Sequence, residues 1–529
     1  LGGRDATWLA IGASIFASNI GSEHLIGLAG AGASSGMAMA HWEIQGWMIL
    51  ILGWVFVPFY TRSMVYTMPE FLERRYNPQS RTILSVISLV SYVLTKVAVT
   101  VYAGGLVFQQ VFGIKELWGI DFFWIAAIGL VVLTALYTIF GGMKSVLYTS
   151  VLQTPILLLG SLIILVLGFK ELGGWDEMMR VCGAVTVNDY GDTMTNLIRS
   201  NDDANFPWLG ALIGSAIIGF WYWCTDQFIV QRVLSGKNEM EARRGTIFGA
   251  YLKLLPVFLF LIPGMIAFAL HQKYIGAGGE GFLPMLANGT ANADAAFPTL
   301  VAKLLPAGVK GLVVCGILAA LMSSLASLFN SSAMLFTIDF YKRFRPETPE
   351  KKLVGIGQVA TVVIVILGIL WIPIMRSVGD VLYTYLQDVQ SVLAPGIAAA
   401  FLLGICWKRT SAQGGMWGLI AGMVIGLTRL GAKVYYSNAG EVADSTFKYL
   451  FYDMNWLFFC GWMFLFCIIV VIVVSLATKA PTAEKIQGLV FGTATKEQKA
   501  ATRASWNHWD IIHTVIILAI TGAFYWYFW

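Results

Sequence analysis

The sequence predicts an all-α protein that crosses a lipid bilayer many times, and three observations predict it. Hydrophobic residues make up 57% of the 529 residues and charged residues only 12%, about half the roughly 25% charge usual in soluble domains. Apolar runs repeatedly reach the roughly 20 residues needed to cross a hydrocarbon core of about 30 Å, and the mean hydropathy is +0.71. Two of these runs are interrupted by polar, glycine-bearing stretches at corresponding places in two five-helix units, as in secondary transporters built from inverted repeats.

Thirteen membrane helices are expected, over 6–32, 36–60, 82–111, 122–140, 145–169, 207–230, 246–270, 309–341, 353–375, 378–406, 411–432, 455–478 and 510–528. The first is interrupted at Ala17-Ser18-Asn19-Ile20-Gly21-Ser22-Glu23-His24. Unwound backbone at membrane depth survives only where protein or a wet cavity satisfies its carbonyls. The second carries Glu43 in its interior, and the seventh carries Lys253, three residues before Pro256. The sixth has a matching break near Gly219-Phe220-Trp221-Tyr222-Trp223-Cys224-Thr225-Asp226-Gln227. In the eighth, Ser323 and Ser327 share a face at i, i+4, with Ser324 beside them. Polar loops connect the helices, the longest at 170–206 and 271–308.

The lysines and arginines set an orientation. With residue 1 inside and sides alternating, the inside segments hold twice as many as the outside ones, a positive-inside bias that leaves the C-terminus outside. The formal charge of +5 therefore speaks of topology rather than of a nucleic-acid partner. Cys182, Cys224, Cys315, Cys406, Cys460 and Cys467 form no CxxC and no disulfide framework, and most lie in apolar runs as small hydrophobes. Compact external loops without paired cysteines point to a bacterial inner membrane.

A charge near the bilayer centre costs about 2.5–3.5 kcal/mol on insertion scales, so Glu43 and Lys253 need a reason. Each could snorkel to an interface, the two could pair only to hold packing, or both could line a water-accessible cavity. The eighth-helix serines are equally double-edged. Hydroxyls in a membrane helix commonly pack closely or bond back to the preceding turn. Beside an unwound helix offering free carbonyls, they become ligands suited to a hard cation such as sodium.

Several separated segments resemble the sodium/solute symporter family, and within it the sodium/glucose cotransporter branch. They are residues 11–22, Trp221 to Gln227, Gln231-Arg232 and Ser323 to Ser331, with a Gly141-Gly142 turn between the fourth and fifth helices. The resemblance runs almost end to end. It implies a leucine-transporter fold: a first inverted repeat over 1–170, an extracellular loop over 171–206, a second repeat over 207–408, peripheral helices over 409–529, and one further helix upstream of Leu1. It also implies a sodium site formed by the carbonyls of Ala17, Ile20 and Ala320 and the hydroxyls of Ser323 and Ser324. Its sugar site would use Asn19, His24, Glu43, Trp223, Lys253 and Gln387 over a Tyr222 floor, with Trp42 and Tyr383 in the outer lid. The chemistry agrees, because sugar hydroxyls both donate and accept while a flat aromatic covers the C–H face of the ring. Two positions depart from the family pattern. Ser150 stands where relatives carry an aspartate, which argues for one sodium per cycle, and Gly219 replaces a polar residue near the sugar.

The expected activity is sodium-coupled symport of a glucose- or galactose-like sugar, with myo-inositol or sialic acid among alternative solutes on the same frame. An intramembrane enzyme is disfavoured: there are five histidines, no HExxH and no intramembrane aspartate pair. Gly30 to Gly36 superficially suggests a dinucleotide loop, but it is one residue too long and joins two membrane helices. A continuous pore fits poorly with paired broken helices and an aromatic floor.

Overall fold

A computed structural model of the chain describes residues 4–21, 23–286, 289–378, 381–439 and 443–529, with the side chains of 137, 139–154, 350 and 375–378 left outside the description. Ser22 and the Ser150 side chain, both named above, fall outside it. Apart from a two-residue hairpin pairing Glu116–Leu117 with Ile120–Asp121, the described fold is helical.

The membrane helices in chain order are α1 (Trp8–Asn19), α2 (Glu23–Ser63), α3 (Pro78–Phe112), α4 (Phe122–Leu172), α5 (Trp208–Thr225), α6 (Gln227–Leu234) and α7 (Glu239–Gly276). They continue as α8 (Ala307–Phe344), α9 (Glu350–Val378), α10 (Leu382–Cys406), α11 (Ala412–Asn438), α12 (Trp456–Ala477) and α13 (His508–Tyr527). Eleven spans among the described residues are long and apolar enough to cross a membrane. Helix is the obligatory choice there, since lipid offers no partner for a backbone N–H or C=O. Large apolar side chains such as Leu370, Trp462 and Val473 face outward, whereas Glu43, Lys253 and Gln387 are buried.

The structure redraws three boundaries. The expected first helix is α1 plus the opening turns of α2, because Ile20 turns extended (φ −80°, ψ 100°) and ends α1. The expected fourth and fifth helices form one unbroken α4 of 51 residues. At 1.5 Å per residue it would extend about 76 Å if straight, more than twice a bilayer core. Glycine weakens a helix interior by about 1 kcal/mol without removing a hydrogen bond, so Gly141-Gly142 alone does not interrupt the ladder. Finally, the second and seventh helices are bent where their charges lie. Ile44 and Gln45 separate two helical turns directly after Glu43, and Lys253 ends the segment Glu239–Leu252. Pro256 explains the second bend, since its ring and missing N–H oppose the carbonyl of Leu252.

Capping residues set the entry of several helices. Asn77 accepts from the Ser80 N–H at 2.8 Å with Pro78 at the first helical position of α3. Asn507 and Asp510 form a reciprocal cap on α13. That helix then docks against α2 and α7 through Trp54 Nε1 to Thr514 Oγ1 at 2.9 Å and Arg244 to Asp510 at 3.1 Å. The α10 entry is tied to the loop before α8: the Leu382 N–H donates to both oxygens of Asp294, at 3.3 and 3.2 Å. Burial raises this loop carboxyl to about 7.

Candidate functional site

Four helix interruptions converge on one cavity. The last carbonyls of a helix have no intrahelical partner, and the extended Ile20 leaves that of Ala17 among them. Beyond the break, the backbone re-enters as a widened π-type turn over Glu23–Leu28 carrying His24. The other broken helix repeats the arrangement. A π-type turn over Phe220–Thr225 carries Tyr222 and Trp223, and Asp226 then turns extended (φ −74°, ψ 128°) to cap α6. Such widened turns are frequent at functional sites. The sixth-helix break expected near Gly219–Gln227 is therefore present, and it falls at Asp226.

Glu43 is the hub. Lys253 Nζ donates to its Oε2 at 2.6 Å and the Tyr383 hydroxyl donates to its Oε1 at 2.5 Å. His24 Nε2 lies 3.3 Å from Oε2 and 3.2 Å from Asn19 Nδ2. Two of the readings of this pair hold together: the residues form an ion pair, and both line a cavity. Lys253 Nζ also sits 5.3 Å above the Trp223 ring, which meets Tyr222 edge-on at 5.0 Å. Burying a carboxylate and an ammonium is tolerable only with this density of partners.

The cavity they line measures about 40 Å³. A water needs roughly 10–15 Å³ on such a measure and ligand pockets begin near 300 Å³, so this conformation is contracted around the Glu43 network. Asn19, His24, Glu43, Tyr222, Trp223, Lys253 and Gln387 all line it, as do Trp42 and Tyr383. Gln387 Oε1, His24 Nδ1 and Trp42 Nε1 are buried with no hydrogen-bond partner among the described residues. Buried polar atoms are rarely left so, and these three have hydrogen-bonding capacity to spare. Trp42 stacks on Trp456 of α12 at 5.5 Å, and Tyr383 spans from α10 to Glu43, so the residue expected in the outer lid lies in the cavity wall itself. Beneath Tyr222, Lys96 Nζ lies 4.5 Å from the ring centroid and 3.8 Å from Asp226 Oδ2.

The cavity also contains residues that sequence reasoning missed: Glu23, Gln45, Ile218, Leu386 and Gln390. Glu23 was legible as part of the polar break. Gln45 was hidden because nothing local announces the bend it occupies.

The residues expected to hold sodium lie around the first break. Ser323, Ser324 and Ala320 are buried on α8, and Ser324 Oγ lacks a hydrogen-bond partner among the described residues. A methyl placed on Gly21 would lie 2.7 Å from both Ser324 Oγ and Glu23 Oε2, so the glycine lets the unwound segment reach the serine face. The oxygen donors gathered there are of the hard type that suits a small cation.

The sodium:solute symporter family model matches residues 1–422. The chain belongs to the sodium:solute symporter family. It is 39% identical over 497 residues to the sodium/glucose cotransporter 1 of Ovis aries, covering 90% of this chain and 74% of that one. With the sodium/myo-inositol cotransporter 2 of Homo sapiens it shares 37% over 506 residues, 93% of this chain and 74% of the relative. Among solved structures, a Na+-coupled sialic acid symporter in a substrate-bound outward-open state superposes with a TM-score of 0.68 at 22% identity, covering 91% and 92% of the two chains. Like that symporter, this member of the family has the leucine-transporter fold, with two inverted five-helix repeats and peripheral helices. It is a multi-pass membrane transporter that carries sodium with its solute, and not an enzyme.

Proposed function

We propose that this symporter imports a neutral sugar or polyol, a hexose of the glucose or galactose type or a cyclitol such as myo-inositol, with one sodium ion per cycle by alternating access. The observation that carries the reading is the Glu43 hub: an acceptor, an ammonium donor, a phenol and an imidazole meet over an aromatic wall in a buried cavity. Glu43 and Lys253 neutralise each other, so the cavity offers an anionic solute no unpaired cation of the pair. A polyol can instead insert its hydroxyls among the Glu43 partners and reach Gln387 Oε1 and His24 Nδ1, which have no partner among the described residues. The Tyr222 and Trp223 rings cover its C–H face. The two relatives reported above, named for glucose and for myo-inositol, support this class.

In this reading Ala17, Ile20 and Ala320 supply carbonyls and Ser323 and Ser324 hydroxyls to sodium, next to the break that carries Asn19 and His24. Ion binding would order the unwound segment and so shape the sugar site, which is the coupling. Tyr222 closes the path on one side, and Tyr383 with Trp42 on the other. The contracted cavity fits a state with both gates shut. One sodium ion moving through ~100 mV and a tenfold gradient supplies ~3.7 kcal/mol, enough for a roughly 500-fold solute gradient. Counted with the fourth and fifth spans as separate crossings, the basic-residue bias supports an inside location for the first described segment and an outside one for the residues that follow α13.

The test is uptake by purified protein in liposomes against a panel of hexoses, myo-inositol and sialic acid, with and without an inward sodium gradient. Accumulation of a neutral polyol only with the gradient is expected. Gradient-independent flux, or accumulation of the acid alone, would overturn the reading.

A further inference from the structure

Gln45 has no part in the Glu43 hub, yet its place in the cavity wall is built with care. It sits at the bend of α2, two residues beyond Glu43, and is only 2% exposed. Its Nε2 donates to the Ser215 carbonyl of α5 at 2.8 Å. Gly219, one turn further along α5, lines the same cavity. A Cβ on Gly219 would lie 2.9 Å from the Gln45 Cδ and 3.2 Å from its Nε2, and closer still to Oε1. Real Cβ contacts do not fall below 3.0 Å, so the amide, at the end of its flexible side chain, would have to shift from this position. The Gln45 amide and a side chain at 219 therefore compete for one volume, and in this chain the amide holds it.

The chemistry of that amide is distinct from that of its neighbours. A carboxylate only accepts and an ammonium only donates, whereas a glutamine amide does both within one plane. With one Nε2 hydrogen given to Ser215, a second N–H and the two Oε1 lone pairs remain. Neighbouring hydroxyls on a polyol ring present a matching acceptor and donor. We propose that Gln45, admitted by the absence of a side chain at Gly219, is a specificity-determining residue that holds two neighbouring substrate hydroxyls through its amide. This rests on the reading of the cavity as a polyol site.

A purely structural tether between α2 and α5 would act alike on every substrate, so the decisive readout is discrimination. KM is measured for D-glucose, or for myo-inositol if that is the better substrate, and for its single-deoxy analogues. The unmodified protein, Gln45→Leu and Gly219→Ala are compared at saturating sodium. A site built to bond a hydroxyl rejects the analogue that lacks it. In the unmodified protein, one analogue or an adjacent pair should carry a KM penalty of about tenfold. That penalty should shrink below about twofold in both variants, with the other penalties and the sodium half-saturation unchanged. Gly219→Ala in a Gln45→Leu background should add nothing further. If either single variant fails to reach the membrane, Gln45→Asn, which shortens the reach, must flatten the same analogue. An unaltered pattern of penalties in the variants that transport overturns the inference while leaving the polyol reading intact. Failure of the unmodified protein to take up any polyol overturns that reading first, and this inference with it.

Discussion

Lys253 reaches Glu43 across 2.6 Å from a bend in one helix to a bend in another, 210 residues apart in the chain. Neither charge could reside in a straight lipid-facing helix at low cost. Each occupies a place where the helical ladder is already interrupted, and each offsets the other's desolvation. The pair therefore ties the α2 and α7 bends together and at the same time forms the wall of the cavity.

Removing one partner of this pair should be costly twice over. Glu43→Ala leaves a buried ammonium alone, a change that destabilises by about 3–5 kcal/mol in comparable buried pairs. Gln387→Ala deletes a group whose Oε1 has no hydrogen-bond partner among the described residues to lose. Both should abolish sugar accumulation, but only Glu43→Ala should lower the melting temperature of the purified protein substantially. Normal sugar affinity in Gln387→Ala would mean the substrate lies elsewhere.

The serine face of α8 should control coupling rather than sugar recognition. Ser323→Ala with Ser324→Ala removes two hydroxyl ligands and should abolish sodium stimulation of uptake. An unchanged sodium half-saturation would place the ion away from the first break. Glu23→Gln, which keeps the shape but removes a carboxylate close to Ser324, should raise that half-saturation several-fold.

Stoichiometry follows from charge. Ser150 supplies no carboxylate, and a neutral hydroxyl attracts a cation far less in a low-dielectric setting. Ser327 adds one more neutral oxygen nearby on α8. The expected ratio is one sodium per sugar, with a Hill coefficient near one and one charge moved per cycle. Reversal potentials of sugar-coupled current in reconstituted vesicles measure it, and a ratio of two would refute it. Ser150→Asp should introduce a second, weaker sodium dependence.

Asp294 should make the protein sensitive to pH near neutrality. Burial raises its carboxyl to about 7 from an ordinary 3.8, so the folded protein holds this proton more tightly than the unfolded chain does. Stability from this group is accordingly greatest at low pH and is lost as pH rises between about 4 and 7. Asp294→Asn keeps an oxygen for the Leu382 N–H and cannot ionise. Thermal stability of the unmodified protein should fall from pH 5 to pH 8, and the variant should lose that slope. Equal slopes in the two proteins would show that other groups set the dependence.

Much of the site is legible in the amino-acid sequence. The broken first helix, the Trp221 to Gln227 segment and the serine triplet are local patterns, and each lies where its polarity conflicts with its apolar flanks. The family resemblance adds Asn19, His24 and Gln387, and all three line the cavity. Gln45 escapes because a glutamine near a tryptophan in a half-polar stretch has no local signature. Its meaning depends on Gly219, a residue on another helix. The Gly141-Gly142 turn misleads for the opposite reason, since continuous backbone hydrogen bonding carries the helix through a local signal for a break.

The sequence by itself determined that the chain spans a membrane, that the first and sixth helices are interrupted and which family it belongs to. Those properties rest on the length of apolar runs and on motifs read within one segment. Only the tertiary structure decided that Glu43, Lys253, Tyr383 and His24 share one network, that the cavity is contracted to about 40 Å³, and that Gln45 fills the space beside Gly219. The physical reason is that hydropathy acts along the chain, whereas a binding site is made by side chains from distant helices. Their distances are set by packing to within tenths of an ångström, and no local pattern encodes that.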